Sequence, residues 1–118
     1  MGRWNLTAKQ VQEFKETEIG KIPVDWEVTR LENVCERVSV GHVGLTSNFF
    51  CGSEGILFLR SQNVKPGRID LTDIKYVTRD FHNKHRKSQL YEGDVLIVRV
   101  GSNRGDCCVV PKGFDELN

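Results

Sequence analysis

The chain has 118 residues, of which 38% are apolar and 28% charged, and its formal net charge is +1. These values are those of a globular domain with a modest hydrophobic core. No apolar run approaches the ~20 residues of a membrane span, and the N-terminus lacks the apolar segment of a signal peptide. We therefore expect a cytoplasmic protein with no membrane contact.

In the N-terminal third, the pattern predicts three short elements. Thr7 and Gln10 form a capping box that predicts a helix over residues 8–16, so residues 1–14 are expected to be a helical extension of the domain 15–118. Alternation over residues 26–30 predicts a strand, and apolar spacing from Leu31 to Val38 predicts a second short helix.

A glycine-rich loop is predicted over residues 41–55, and it carries Phe49 and Phe50. Aromatic side chains in such a loop either form an exposed contact surface or pack beneath the loop, and the sequence leaves both alternatives open.

The second half of the chain predicts several short strands separated by turns. The predicted strands cover residues 56–59, Ile69, 74–77, 93–100 and 107–110, with a turn at 65–68. Thr78 is expected to cap a helix that extends to about Lys87, with Phe81 and His85 on one face. We therefore predict an α+β fold with a mostly antiparallel, partly barrel-like sheet and a few short surface helices.

The strand over residues 93–100 is the most apolar segment of the chain, and we expect it to be buried on at least one face. Arg99 interrupts its apolar run, so this side chain must extend to solvent or to an acidic group. The strand ends in residues 101–105, which combine glycines with Ser102, Asn103 and Arg104. Such a loop turns tightly and presents hydrogen-bond donors.

Charge is distributed unevenly along the chain. Between Arg60 and Arg104 there are ten basic and five acidic side chains, an excess of five positive charges. This asymmetry predicts a positive face on the second half, which would favour a nucleic-acid partner. A solvated surface of mixed charge remains the alternative.

The cysteines and histidines do not predict a cofactor. The four cysteines contain no CxxC pair, and we expect them to be free thiols. His82 and His85 could share one helix face, but the sequence supplies too few further ligands for a metal site. Residues 101–105 lack the patterns of a nucleotide-binding loop. We therefore predict no metal and no cofactor.

Four segments in this order resemble the target recognition domain of type I restriction–modification specificity subunits. They are residues 17–28 with Leu31, residues 55–64, residues 76–78, and residues 93–102 followed by Gly105. Together they extend over residues 15–111. The resemblance implies a non-catalytic module that recognises a specific sequence of duplex DNA. In this family, two such domains joined by long helices recognise a split target, and the helices dock methyltransferase subunits.

The resemblance also defines the expected partners. They are double-stranded DNA and the methyltransferase and restriction subunits of the complex, together with possible self-association. Compared with the family pattern, the chain holds one partial recognition domain, lacks a long spacer helix, and ends before the expected closing strands. A fragment that pairs with a full specificity or methyltransferase subunit is therefore an alternative function.

Base recognition in a major groove uses arginine for guanine and asparagine or glutamine for adenine. Residues of these types, with one serine, lie at or just after the ends of the two strongly apolar strands, and we predict that they contact bases: Arg60, Gln62, Asn63, Arg99, Ser102, Asn103 and Arg104. The basic side chains Lys84, Arg86 and Lys87 are predicted to hold phosphates, which fix the register without recognising sequence. No catalytic residue is predicted.

A metal-dependent nuclease is the enzymatic alternative. Residues 73–75, an aspartate, an isoleucine and a lysine, match the acidic-x-Lys half of such a site, and Asp70 is close in sequence. A nuclease needs converging carboxylates that hold magnesium and activate water. The upstream Pro-Asp partner is missing, because Pro23 is followed by Val24.

Overall fold

The structure is a computed structural model that describes residues 12–118. The chain divides into two compact units, with the boundary between Val38 and Ser39. Residues 8–11 of the predicted N-terminal helix lie outside the described residues, and the helical extension over residues 1–14 stays a prediction.

The first unit contains a hairpin and one helical turn. Strand β1 (Phe14–Thr17) pairs antiparallel with β2 (Gly20–Pro23), and α1 (Leu31–Val34) follows. Thr17 holds the hairpin turn, because its Oγ1 donates to Gly20 O at 2.6 Å and accepts from Ile19 N at 3.2 Å. Gly20 has φ +113°, a conformation that favours glycine. No residue between 12 and 38 is buried.

Three predictions for this unit need correction. The end of the helix predicted over residues 8–16 is wrong, since Phe14–Thr17 forms a strand whose pairing and turn override local helix propensity. The strand predicted over residues 26–30 is also wrong, because this segment has no sheet partner and leaves Trp26 exposed. The helix predicted from Leu31 to Val38 is confirmed only for its first turn.

The second unit consists of short strands and short helices. In chain order they are β3 (Phe50–Cys51), β4 (Ile56–Phe58), β5 (Val64–Lys65), β6 (Arg68–Ile69), β7 (Lys75–Val77), α2 (Arg79–Lys84), β8 (Val95–Ile97) and β9 (Cys107–Val109). Single 3-10 turns occur at Ser47–Phe49, Ser61–Asn63 and Arg86–Ser88.

These strands form small antiparallel sheets. A three-stranded sheet has the order β3-β7-β4, and β5 pairs with β6 and β8 with β9. Gly55 precedes β4 at a close approach, where an added Cβ would lie 2.4 Å from Val77 O. The antiparallel α+β prediction is confirmed. The sheets do not close into a barrel within residues 12–118, so the partly barrel-like arrangement stays a prediction.

Two hydrophobic clusters support these sheets. The first contains Ile56, Val77 and Phe81, and the second contains Val64, Val98 and Cys108. Phe50 packs against the first cluster, and its ring lies 6.1 Å from that of Phe58. The ring of Phe49 lies 5.0 Å from that of Phe81. The alternative that these aromatics pack beneath the loop is therefore confirmed for Phe50 and only in part for Phe49, which remains 38% exposed.

The segment Glu116–Asn118 adds to the three-stranded sheet. Leu117 forms a parallel bridge with Leu57 and an antiparallel bridge with Leu90, and it is 1% exposed. Asn118 N donates to Leu57 O at 3.0 Å, and Leu59 N donates to Asn118 O at 2.7 Å. This segment therefore holds the end of β4, immediately before Arg60.

Helix α2 is capped as predicted, because Thr78 Oγ1 accepts from Phe81 N at 3.2 Å. The helix ends at Lys84 rather than near Lys87, since His85 leaves helical geometry with ψ 64° and a 3-10 turn follows. Strand β8 covers only residues 95–97 of the predicted 93–100. No helix in the described part of the chain is long and apolar enough to cross a membrane.

Candidate functional site

The two polar loops that follow β4 and β8 lie on opposite sides of one cleft. The cleft has a volume of about 180 Å³ and is lined by Ser61, Gln62, Val98, Val100, Gly101, Ser102 and Asn103. The second hydrophobic cluster brings the loops together, because Val64 directly follows the first loop and Val98 directly precedes the second. Gly67 N also donates to Cys107 O at 2.9 Å, which joins the β5–β6 turn to β9.

Asn63 fixes the first loop from inside the protein. It is 2% exposed, and its Oδ1 accepts from Arg60 N at 2.9 Å. Its Nδ2 donates to the backbone carbonyls of Asp70 and Asp73, both at 2.9 Å. Both polar atoms of the amide are therefore used within the chain. The base contact of Asn63 stays a prediction, and within the chain its buried amide, with both Nδ2 hydrogens donated to backbone carbonyls, holds the first loop.

Arg60 and Gln62 both contact Asp73. Arg60 Nη2 donates to Asp73 O at 2.8 Å and lies 3.5 Å from Asp73 Oδ1. Gln62 Nε2 donates to Asp73 Oδ2 at 3.2 Å. Arg60 is partly buried and its Nε has no hydrogen-bond partner, whereas Gln62 is exposed at the cleft.

The second loop is a hairpin connection between β8 and β9. Val98 N donates to Asp106 O and Gly105 N to Val98 O, both at 2.9 Å. Gly101 and Gly105 have φ values of +103° and +93°, which favour glycine at both positions. Four side chains predicted to contact bases are exposed on this loop: Arg99, Ser102, Asn103 and Arg104. Of the two directions left open for Arg99, the structure shows the one toward solvent.

Strand β8 has one buried and one exposed face. Val98 is buried and Leu96 partly buried, whereas Val95 and Ile97 are exposed. The expectation of burial on at least one face is confirmed. Cys107 is exposed and Cys108 buried on the paired strand, because successive side chains of an extended segment lie on opposite faces.

The three predicted phosphate-contacting residues lie on a different part of the unit. Lys84 ends α2 and its Nζ lies 3.2 Å from Asp80 Oδ2, an exposed pair one helical turn apart. Arg86 and Lys87 are exposed in the following 3-10 turn, and Lys87 O accepts from Ser39 Oγ at 3.2 Å. None of these three residues lines the cleft.

The carboxylates of the nuclease alternative are engaged separately. The Asp70 carboxylate accepts from the backbone N and the hydroxyl of Thr72, and the Thr72 hydroxyl lowers the pKa of Asp70. The Asp73 carboxylate contacts Arg60 and Gln62. Among residues 12–118 there is no group of three or more histidine, cysteine, aspartate or glutamate side chains that could hold a metal ion.

The sequence pattern did not predict a polar network behind the first loop, in which Ser88, His82 and Asn118 are buried and Arg79 and Glu116 are exposed. Asn118 Oδ1 accepts from Ser88 Oγ at 2.7 Å, and Asn118 Nδ2 lies 3.0 Å from His82 Nδ1. His82 Nε2 lies 3.6 Å from Glu116 Oε2, and Arg79 makes a two-point contact with the same carboxylate at 2.6 and 3.0 Å. With Asn118 Nδ2 as the donor to His82 Nδ1, neutral His82 carries its proton on Nε2. They attach α2 to the C-terminal segment.

This network predicts a stability that depends on pH. Burial is the main cause that lowers the pKa of His82. The negative charge of Glu116 raises this pKa, and the positive charge of Arg79 lowers it further. Because the folded protein disfavours the imidazolium, the contribution of neutral His82 is complete above its ordinary pKa of about 6.5 and is lost as the pH falls below that value. Urea unfolding at pH 7.5 and 5.5 should show this loss. His82→Asn should reduce the pH dependence, and an unchanged dependence would contradict the assignment.

Comparison with known proteins defines the class of the chain. No family model matches it. Three curated proteins that match are specificity subunits of type I restriction enzymes. This chain is therefore a relative of a segment of those subunits, and the resemblance found in its sequence is confirmed.

Three relatives define the extent of the match. The MjaVIII specificity subunit of Methanocaldococcus jannaschii is 33% identical over 85 residues, which are 72% of this chain and 19% of that protein. A second protein of that organism, named as the MjaX specificity subunit, is 33% identical over 91 residues, 77% of this chain and 21% of its own length. The EcoBI specificity subunit of Escherichia coli is 24% identical over 81 residues, which are 69% of this chain and 17% of that protein. The chain spans about one fifth of the length of these relatives.

Proposed function

We propose that this chain recognises a specific sequence of duplex DNA as a non-catalytic part of a type I restriction–modification system. The observation that carries the proposal is the cleft, where Gln62 from the loop after β4 faces Ser102 and Asn103 from the loop after β8. The curated relatives are specificity subunits, which supports this use of the cleft. Amide and hydroxyl groups on loops held by short strands suit the recognition of base edges.

The proposed base contacts come from both loops. Gln62, Ser102 and Asn103 lie at the cleft, and Arg99 and Arg104 are exposed on the second loop. Arg60 contributes from the first loop, while Asn63 holds that loop in place through its three hydrogen bonds. Lys84, Arg86 and Lys87 hold phosphates from outside the cleft.

The proposed partners are duplex DNA and the methyltransferase and restriction subunits. One surface favours a protein partner as well. Val95, Ile97 and Val109 share the outer face of the β8–β9 hairpin and are 62%, 58% and 55% exposed. Apolar side chains grouped on one face are typical of a protein contact. The alternative function, an interaction fragment, would be supported by co-purification with the methyltransferase subunit in the absence of DNA.

Arg104→Ala tests base recognition. The 118-residue chain is first used to select bound sequences from a random duplex pool, and affinity is then measured for the selected duplex and a scrambled one. A chain that selects no sequence would contradict the proposal. Within the complex with the methyltransferase, Arg104→Ala should cost about 1–3 kcal/mol on the selected duplex and little on the scrambled one. Methylation mapping gives the matching result on long DNA. An unchanged preference in the variant would remove Arg104 from the proposed contacts.

Lys87→Ala tests the phosphate contacts. Binding of the isolated chain to duplex DNA should be weak and should fall steeply with salt, because about 3–5 phosphates would be neutralised. Lys87→Ala should weaken binding to all duplexes alike and reduce the salt slope by about one. The control is Lys112→Ala, which removes one exposed lysine outside the 84–87 segment. A slope of zero for the unmodified chain would contradict the electrostatic part of the proposal.

A further inference from the structure

We infer that Asp73 is a positioning residue that determines sequence preference by holding Arg60 and Gln62 in one orientation. This inference rests on the proposed function, since it concerns the same cleft. The sequence pattern around Asp73 matches half of a nuclease site, whereas the contacts of Asp73 are with two side chains of the first loop.

Each oxygen of the Asp73 carboxylate faces a different residue. Oδ1 lies 3.5 Å from Arg60 Nη2, and Oδ2 accepts from Gln62 Nε2 at 3.2 Å. The carboxylate therefore joins the guanidinium to the amide and fixes the distance between them. The side chain of Arg60 is 22% exposed and that of Asp73 is 65% exposed. Because solvent screens the attraction between the two charges, the contact acts mainly by orienting the side chains.

The backbone of Asp73 is itself held in place. Its carbonyl oxygen accepts from Arg60 Nη2 at 2.8 Å and from Asn63 Nδ2 at 2.9 Å, which uses both lone pairs. Two residues later the chain enters β7, the central strand of the three-stranded sheet. The backbone that carries the carboxylate is therefore held in position, and a directional contact requires such a fixed backbone.

This contact sets which way the Gln62 amide points. Because Nε2 donates to Asp73, the amide cannot rotate by half a turn without placing Oε1 against a carboxylate. Gln62 keeps Oε1 and its second N–H for a ligand. That pair of groups is the one with which glutamine recognises adenine. The negative charge beside it also disfavours a phosphate at this position, so nonspecific contacts with the DNA backbone are penalised there.

Two substitutions separate positioning from charge. Asp73→Asn removes the charge and allows the amide of Gln62 to rotate, and Asp73→Glu keeps the charge but moves the oxygens by one methylene group. The matched control is Asp115→Asn, which removes an exposed aspartate that has no ion pair in the described part of the chain. Affinities are measured for the selected and scrambled duplexes with the whole chain, after thermal unfolding shows that each variant folds.

We expect both Asp73 variants to lose at least about fivefold of the preference for the selected duplex, the lower limit for one correct base contact. Asp73→Asn should also bind the scrambled duplex as tightly as the unmodified chain or more tightly, whereas loss of structure would weaken both duplexes. Asp115→Asn should keep the preference. If Asp73→Asn fails to fold, Asp73→Glu gives the same comparison.

Preference that stays within twofold in both variants would overturn the role of Asp73 while leaving the proposed function intact. An unmodified chain that does not distinguish the two duplexes would overturn the proposed function, and the positioning role with it.

Discussion

Asn63→Asp is expected to lower the free energy of unfolding by about 2–5 kcal/mol, because it turns a donor toward two carbonyls into a negatively charged acceptor. Asn63 Nδ2 now donates to Asp70 O and Asp73 O at 2.9 Å, and the site is 2% exposed. An aspartate has the same shape but would direct an oxygen at both carbonyls. It would have to take up a proton or leave the site.

Urea unfolding at pH 7 measures this effect. The matched control is Gln62→Glu, an equivalent amide-to-carboxylate change one residue earlier on an exposed side chain. It also removes a bond to Asp73, so a smaller loss is expected. Equal losses in the two variants would show that burial of the Asn63 amide does not determine the stability of this loop.

Asn63 also shows what the sequence could and could not predict about the site. Residue types and apolar strands identified both loops, and the loops do meet at one cleft. The sequence could not distinguish Gln62 from Asn63, since both are amides after the same strand. Their difference depends on Asp70 and Asp73, seven and ten residues further on, whose carbonyls form the pocket for Asn63. Contacts of this kind depend on the path of the backbone, which residue types do not encode locally.

In the fold as well, the sequence predicted what local residues determine and did not predict what other contacts determine. The capped start of α2, the turn at Pro66 and Gly67, and the strands at 56–58 and 75–77 were predicted, because local pattern and turn chemistry determine them. Gly67 has φ +75°, as a type II turn requires. The end of α2 was missed because His85 Nδ1 contacts Phe81 O at 2.8 Å and Ser88 Oγ lies 3.0 Å from His85 O. These local bonds compete with the helix.

The sequence did not predict that the segment Glu116–Asn118 pairs with other strands, because three residues are too few to show the periodicity of a strand. Its importance comes from contacts with residues far away in sequence. Leu117 bridges Leu57 and Leu90, and Asn118 bonds with Leu57, Leu59, His82 and Ser88. The end of β4, and with it Arg60, therefore depends on this segment.

Leu117→Ala should accordingly cost about 2–5 kcal/mol of unfolding free energy, the range for a fully buried leucine whose cavity is only partly refilled. Leu71→Ala is the control, because Leu71 is 46% exposed. The unfolding free energy of this variant should change by no more than about 0.5 kcal/mol. Amide hydrogen exchange gives a second measurement, since Leu59 N donates to Asn118 O at 2.7 Å and should lose protection in Leu117→Ala. If Leu59 keeps its protection while global stability falls, the segment contributes to the core without holding the loop that begins at Arg60.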